Sequence, residues 1–141
     1  PCALIAQSMG GVVAVLAALQ RPEYLTHLVL VATSGGVPID DLRPHDWRPD
    51  FMRSNPAFPA WMARERWNLA PQLASVRAPT LLLWGDADAI SPVAVGERLQ
   101  GLLPCAQLQV LPGGAHDLAQ THAEAVAGHI SHHLRAGTET A

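Results

Sequence analysis

Four short apolar runs recur along the chain, at residues 3–6, 27–32, 79–84 and 106–111, separated by longer stretches of helical or irregular character. A continuous apolar run marks a strand covered on both faces, as in a parallel sheet, whereas alternation marks a half-exposed strand. On that criterion 3–6, 27–32 and 79–84 read as fully buried parallel strands. In the fourth run Gln107 and Gln109 alternate with Leu108 and Val110, which suits a sheet edge. A helix is expected over 10–20, stopped by Arg21-Pro22. A second is expected over 93–103, with Ser91 as N-cap and Pro92 at the first helical position. A third runs from a Thr121 cap to about residue 134, followed by a frayed polar tail over 135–141. Strand, helix, strand at the start predicts a βαβ unit with a right-handed crossover. The fold class expected is therefore α/β, a parallel sheet of about four strands with flanking helices.

Between the second and third strands the pattern breaks down. Residues 37–72 carry Pro38, Pro44, Pro49, Pro56, Pro59 and Pro71, both phenylalanines and three of the four tryptophans. This stretch reads as an irregular insertion over the sheet's end, with one or two short helices around 59–68. Its aromatics, Trp47, Phe51, Phe58 and Trp61 among them, suit either a small satellite core or a lid lining an acyl or alkyl pocket.

Composition narrows the class without naming a chemistry. A chain of 141 residues, 49% apolar and 15% charged, can bury a core and form one domain over 1–141. No run approaches the eighteen or so apolar residues of a membrane span, so no membrane partner is expected. The net charge of −3, with all nine cations arginine and none clustered, gives no footprint for nucleic acid. Cys2 and Cys105 are too few for a disulfide scaffold and lack metal-ligand spacing; they read as buried apolar residues in a reducing, cytoplasmic protein. No cofactor or metal is implied. His129 and His133 share a helix face at i, i+4, but no carboxylate or cysteine accompanies them, and a solvated helix surface is expected.

The candidate chemistry starts at Ser8, in Ala6-Gln-Ser-Met-Gly10. A serine between a strand and a helix, flanked by small residues, has the setting of a nucleophile elbow, a strained turn that lifts the hydroxyl clear of the sheet. Ala6 and Gly10 are expected to let strand and helix pass closely, and the Met9 amide to point at an oxyanion. The segment Trp84-Gly-Asp-Ala-Asp88 ends the third strand, and Gly113-Gly-Ala-His116 follows the fourth.

Ser, Asp and His, each just after a strand and in that order, resemble the C-terminal half of an α/β-hydrolase, with nearly the whole chain covered. Ala6 departs from the glycine that usually opens the motif. The resemblance implies a catalytic triad of Ser8, His116 and Asp88, with Asp86 as a rival acid two residues away. It implies a serine hydrolase forming an acyl-enzyme on a small, mostly apolar carboxylic ester, with a lactone or thioester as variants. Carbon–carbon bond hydrolases and perhydrolases would share these residues. The alternatives from other classes are a non-catalytic small-molecule binding protein of the same fold and an inactive fragment lacking half of the oxyanion hole. The chain opens on Pro1 directly before a strand, which reads as a beginning in the middle of a domain. Taken alone, such a chain is expected to self-associate through an uncovered strand edge and to turn over esters poorly.

Overall fold

The four apolar runs form strands β1 (Cys2–Gln7), β2 (Leu25–Val31), β3 (Thr80–Gly85) and β4 (Ala106–Leu111), in a computed structural model that describes residues 1–136. They make one sheet, all parallel, in the order β1-β2-β3-β4. The helices are α1 (Met9–Gln20), α2 (Arg48–Ser54), α3 (Ala60–Arg64), α4 (Val93–Leu102), α5 (Leu118–Thr121) and α6 (Ala123–Arg135).

Side chains alternate across a strand, and in β2 and β3 both sets are apolar, so each feeds a different core. Leu28, Leu30, Leu82 and Trp84 face α1 and α4, where they meet Ala14, Val15, Val95 and Leu99. Val29, Val31, Leu81 and Leu83 face the other way, onto Leu118 of α5 and Val126 of α6. The result is three layers, with the sheet in the middle.

The outer strands depart from this pattern. β4 forms one edge of the sheet and alternates as far as Gln109, after which Val110, expected on the covered side with Leu108, is 41% exposed. β1 forms the other edge, which corrects its reading as a fully buried strand: Ile5 stands opposite Val29, on the face covered by α5 and α6, and is 54% exposed. The second core does not reach that far. Cys2 and Cys105 are also exposed rather than buried, because Cys2 opens the edge strand β1 and Cys105 stands just before the edge strand β4, away from the two central strands.

Two caps differ from expectation as well. Ser91 does not cap α4; its hydroxyl instead accepts the indole N–H of the fully buried Trp84, 3.2 Å away. A buried indole needs an acceptor, and the Ser91 hydroxyl supplies it. The last helix breaks at His122, and the Thr121 hydroxyl bonds the His122 ring rather than a helix amide. Of the expected polar tail, Arg135 still belongs to α6, and residues 137–141 lie outside the described residues.

The segment between β2 and β3 holds α2, α3 and the 3₁₀ helices Asp40–Leu42 and Ala70–Ser75. It is tied down at both flanks. Arg98 of α4 donates to the Pro38 carbonyl and to the Asp41 carboxylate, which it holds below the usual carboxylate pKa. Leu69 and Leu73 join the larger core beside α1 and α4.

Candidate active site

Parallel strands of one sheet all end on the same side, so the loops after β1, β3 and β4 gather there. Ser8 follows β1 at the first of these ends. It has φ 51° and ψ −122°, a conformation that a side chain adopts only at a cost of about 1–3 kcal/mol, repaid by surrounding contacts. Its N–H donates to the Val31 carbonyl at 3.0 Å, continuing the β1–β2 ladder, while its carbonyl accepts the Gly11 N–H at 2.9 Å and starts α1. The turn is therefore held from the strand side and the helix side together. The Met9 amide opens α1, where a helix leaves its first N–H groups without intrahelical partners.

The close approach expected of Gly10 belongs to its neighbour. A Cβ on Gly10 would stand at an ordinary 3.8 Å from the Ala6 methyl group, whereas one on Gly11 would fall 2.3 Å from the Thr33 hydroxyl oxygen. α1 can lie against the end of β2 only because residue 11 is glycine.

Asp88 lies in the loop after β3, its side chain fully buried. One carboxylate oxygen accepts the N–H groups of Ile90 and Ser91, at 2.8 and 2.9 Å. The other faces His116 Nδ1 at 2.9 Å. Nδ1 beside a carboxylate carries the proton, which leaves Nε2 as an acceptor. Nε2 lies 2.9 Å from Ser8 Oγ. Three side chains from three loops thus form one hydrogen-bonded line, Ser8 to His116 to Asp88, with the histidine 26% exposed at its centre.

Asp86 is exposed and turned the other way, its carboxylate accepting the Gly113 N–H at 2.7 Å. It braces the histidine loop from outside. Two further contacts fix that loop. The Gly114 carbonyl accepts the Ala87 N–H at 2.9 Å, and a Cβ on Gly85 would stand only 2.0 Å from the same carbonyl oxygen. Gln7, the residue before Ser8, donates its side-chain amide to the His116 carbonyl at 2.9 Å. Because a carbonyl can only accept, the amide nitrogen must face it.

The aromatics of the 37–72 segment form their own group. Trp47 packs edge-to-face on Phe51 at 5.3 Å, and Phe51 on Phe58 at 4.8 Å; all three are half-buried, whereas Trp61 is 62% exposed. The segment meets the acid loop where the His45 N–H donates to the Ala89 carbonyl at 2.8 Å, one residue past Asp88. His129 is half-buried, and His133 is not a solvated surface residue: it packs edge-on against His27 at 5.2 Å and reaches the Pro79 carbonyl. Among the described residues no group of three or more metal-ligating side chains occurs.

A three-layer sheet with a strained serine at the tip of its first strand, and Asp and His at the tips of two others, defines an α/β-hydrolase. Residues 46–141 match the family described as TAP-like protein, and the chain belongs to that family of α/β-hydrolases. It is 32% identical to part of the polyketide synthase ThaQ of Burkholderia thailandensis, over 87% of this chain and 8% of that protein. It is 27% identical to the pimeloyl-[acyl-carrier protein] methyl ester esterase of Edwardsiella ictaluri, over 83% of this chain and 63% of that one. The crystal structure of MGS-MChE2, an α/β-hydrolase from a metagenome of sediments of the Mar Chica lagoon in Morocco, superposes with a TM-score of 0.73 at 25% identity, covering 92% of this chain and 58% of that one. The chain thus spans less than two thirds of the length of each of these relatives.

Proposed function

We propose that the protein is a serine hydrolase acting on a small, mostly apolar carboxylic ester, and that Ser8, His116 and Asp88 are its catalytic residues. The observation that carries this reading is the unbroken pair of 2.9 Å contacts from Ser8 Oγ through the imidazole to the Asp88 carboxylate. A serine hydroxyl attacks an ester carbonyl carbon only as its proton leaves, and His116 Nε2 stands where that proton would go. Asp88 stabilises the imidazolium that forms. Its other oxygen is already saturated by two amides, so it keeps its orientation through the step. The Met9 N–H serves as one donor to the tetrahedral oxyanion. Collapse expels the alcohol, which takes the proton from His116 and leaves Ser8 acylated. Water, deprotonated by the same imidazole, then attacks the acyl carbon, and the imidazolium returns that proton to Ser8 Oγ as the acid leaves.

The similarity to a methyl ester esterase is in keeping with an ester substrate. Within this reading the 37–72 segment is a lid, and Trp47, Phe51, Phe58 and Trp61 supply the wall against which an apolar acyl or alkyl group packs. The joint between His45 and Ala89 would hold that wall beside the acid loop. No cofactor takes part. Two exposed free thiols support a reducing, cytoplasmic home.

A fluorophosphonate probe tests the reading directly. It should label the protein at Ser8, and Ser8→Ala should abolish both labelling and ester turnover. Labelling that survives in Ser8→Ala would assign the nucleophile elsewhere.

A further inference from the structure

Behind the elbow stands a residue that the motif does not contain. Thr33, two residues past the end of β2, is 1% exposed and donates its hydroxyl to the Ser8 carbonyl at 2.6 Å. The Thr33 hydroxyl oxygen in turn accepts the Gly35 N–H at 3.1 Å. The direction of the Thr33 hydroxyl is unambiguous, because the Ser8 carbonyl has no proton to offer. Thr33 is brought there by Ala32, which turns the chain at φ 45°, and it is fitted tightly against Gly11 of α1, as the 2.3 Å approach of a Cβ at that position shows.

We infer that Thr33 is a positioning residue for the oxyanion donor. The Ser8 carbonyl and the Met9 N–H belong to one peptide unit, which is planar and trans, so its C=O and N–H point in opposite directions. Holding the carbonyl on the Thr33 side aims the Met9 N–H to the opposite side. A hydrogen bond accepted at the carbonyl also polarises the unit and makes its N–H a stronger donor. Thr33 touches no reacting atom; it acts through the peptide between Ser8 and Met9. The inference rests on the proposed hydrolase reading and adds to it the group that orients the oxyanion amide.

The test uses an ester and its thionoester, matched p-nitrophenyl substrates that differ only in C=O against C=S. Sulfur accepts hydrogen bonds poorly, so the ratio of the two kcat/KM values reports the oxyanion donor and is independent of how much of a preparation is folded. Losing a whole oxyanion donor costs about 10²–10³ in rate, so misaiming one in Thr33→Val should lower the ester-to-thionoester ratio on the order of tenfold. Thr33→Ser keeps the hydroxyl and should restore the wild-type ratio. An unchanged ratio in Thr33→Val, whatever happens to the overall rate, overturns the inference. Failure of the wild-type protein to label at Ser8 would instead overturn the hydrolase reading beneath it.

Discussion

At the scale of the residue, Asp86 and Asp88 are the instructive pair, since they share a chemistry and a loop but not a role. The Asp88 side chain is fully buried and spans two amides and an imidazole, whereas Asp86 is exposed and holds only Gly113. Asp88→Asn should lower turnover on the order of 10⁴-fold with little loss of folding, as expected for a group that orients an imidazole and stabilises its charge. Asp86→Asn keeps an oxygen that can accept the Gly113 N–H, so its effect should stay within about tenfold, the cost of one neutral hydrogen bond. Rate assays with thermal melts on both variants check this, and a larger loss at Asp86 would reverse the assignment. The order of Ser, Asp and His along the sequence, with the resemblance's preference for Asp88 over Asp86, points to the three side chains that meet. It gives no hint of Gln7 or Thr33, whose bonds to His116 and Ser8 join residues 109 and 25 positions apart. Such contacts leave no local pattern, since a glutamine in a strand or a threonine after one is unremarkable in composition. Gly11 is a partial exception: a second glycine just inside a helix costs about 1 kcal/mol against alanine, and that cost signals a packing reason.

At the scale of the element, central strands are legible because both of their faces are apolar, and β2, β3 and β4 lie within two residues of the expected bounds. What the pattern cannot convey is which strand ends the sheet. β1 is as apolar as β2, yet it stands at the edge with Ile5 uncovered. Histidines on the last helix illustrate the same limit. The i, i+4 spacing fixes that His129 and His133 share a face, but not that the face meets β2. There His133 is pressed against His27 and the Pro79 carbonyl, with His132 next to it on its own helix and the Leu28 backbone also within reach. Burial, then the neighbouring His27, pulls its pKa below the ordinary 6.5. Above that value both folded and unfolded chains hold it neutral and it adds nothing to the pH dependence. As pH falls through it, the unfolded chain takes up a proton that the folded chain resists, so stability declines. The melting temperature should therefore drop between pH 7.5 and 5.5, and drop less in His133→Gln; equal slopes would remove His133 from the account. The 37–72 segment invites a parallel test. Phe51 is flanked on both sides by edge-to-face rings, each such pair contributing about 0.5–1.5 kcal/mol, so Phe51→Ala should lower stability. Trp61 is mostly exposed and holds no such stack, so Trp61→Ala should leave the melting temperature unchanged while raising KM for longer acyl chains more than it lowers kcat. Unchanged acyl preference in Trp61→Ala would remove it from the proposed wall.

At the scale of the whole molecule, the two sides of the sheet are unequally finished. The larger core is closed by α1, α4 and the Ala70–Ser75 3₁₀ helix, but the face of α5 and α6 stops short of β1. Ile5 on that face, Val13 on α1 and Tyr24 before β2 are 54%, 67% and 53% exposed, and Met9 joins them at the elbow. Among the described residues no strand pairs with the outer edge of β1, so a row of backbone donors and acceptors lies beside the exposed Ile5. That combination is what templates strand pairing between molecules, and natural edges avoid it with charge, proline or a covering element. The 15.0 kDa chain on its own should therefore self-associate, eluting from size-exclusion chromatography well ahead of a monomer. Ile5→Lys places a charge in the middle of the edge strand and should shift the profile toward the monomer. Val110→Lys offers the control, since β4 forms the opposite edge and already carries Gln107 and Gln109. If Val110→Lys restored the monomer and Ile5→Lys did not, association would run through β4. A wild-type chain eluting as a single monomer would mean that the apolar side of β1 is tolerated in water, and the physical case for a partner on that side would fall with it.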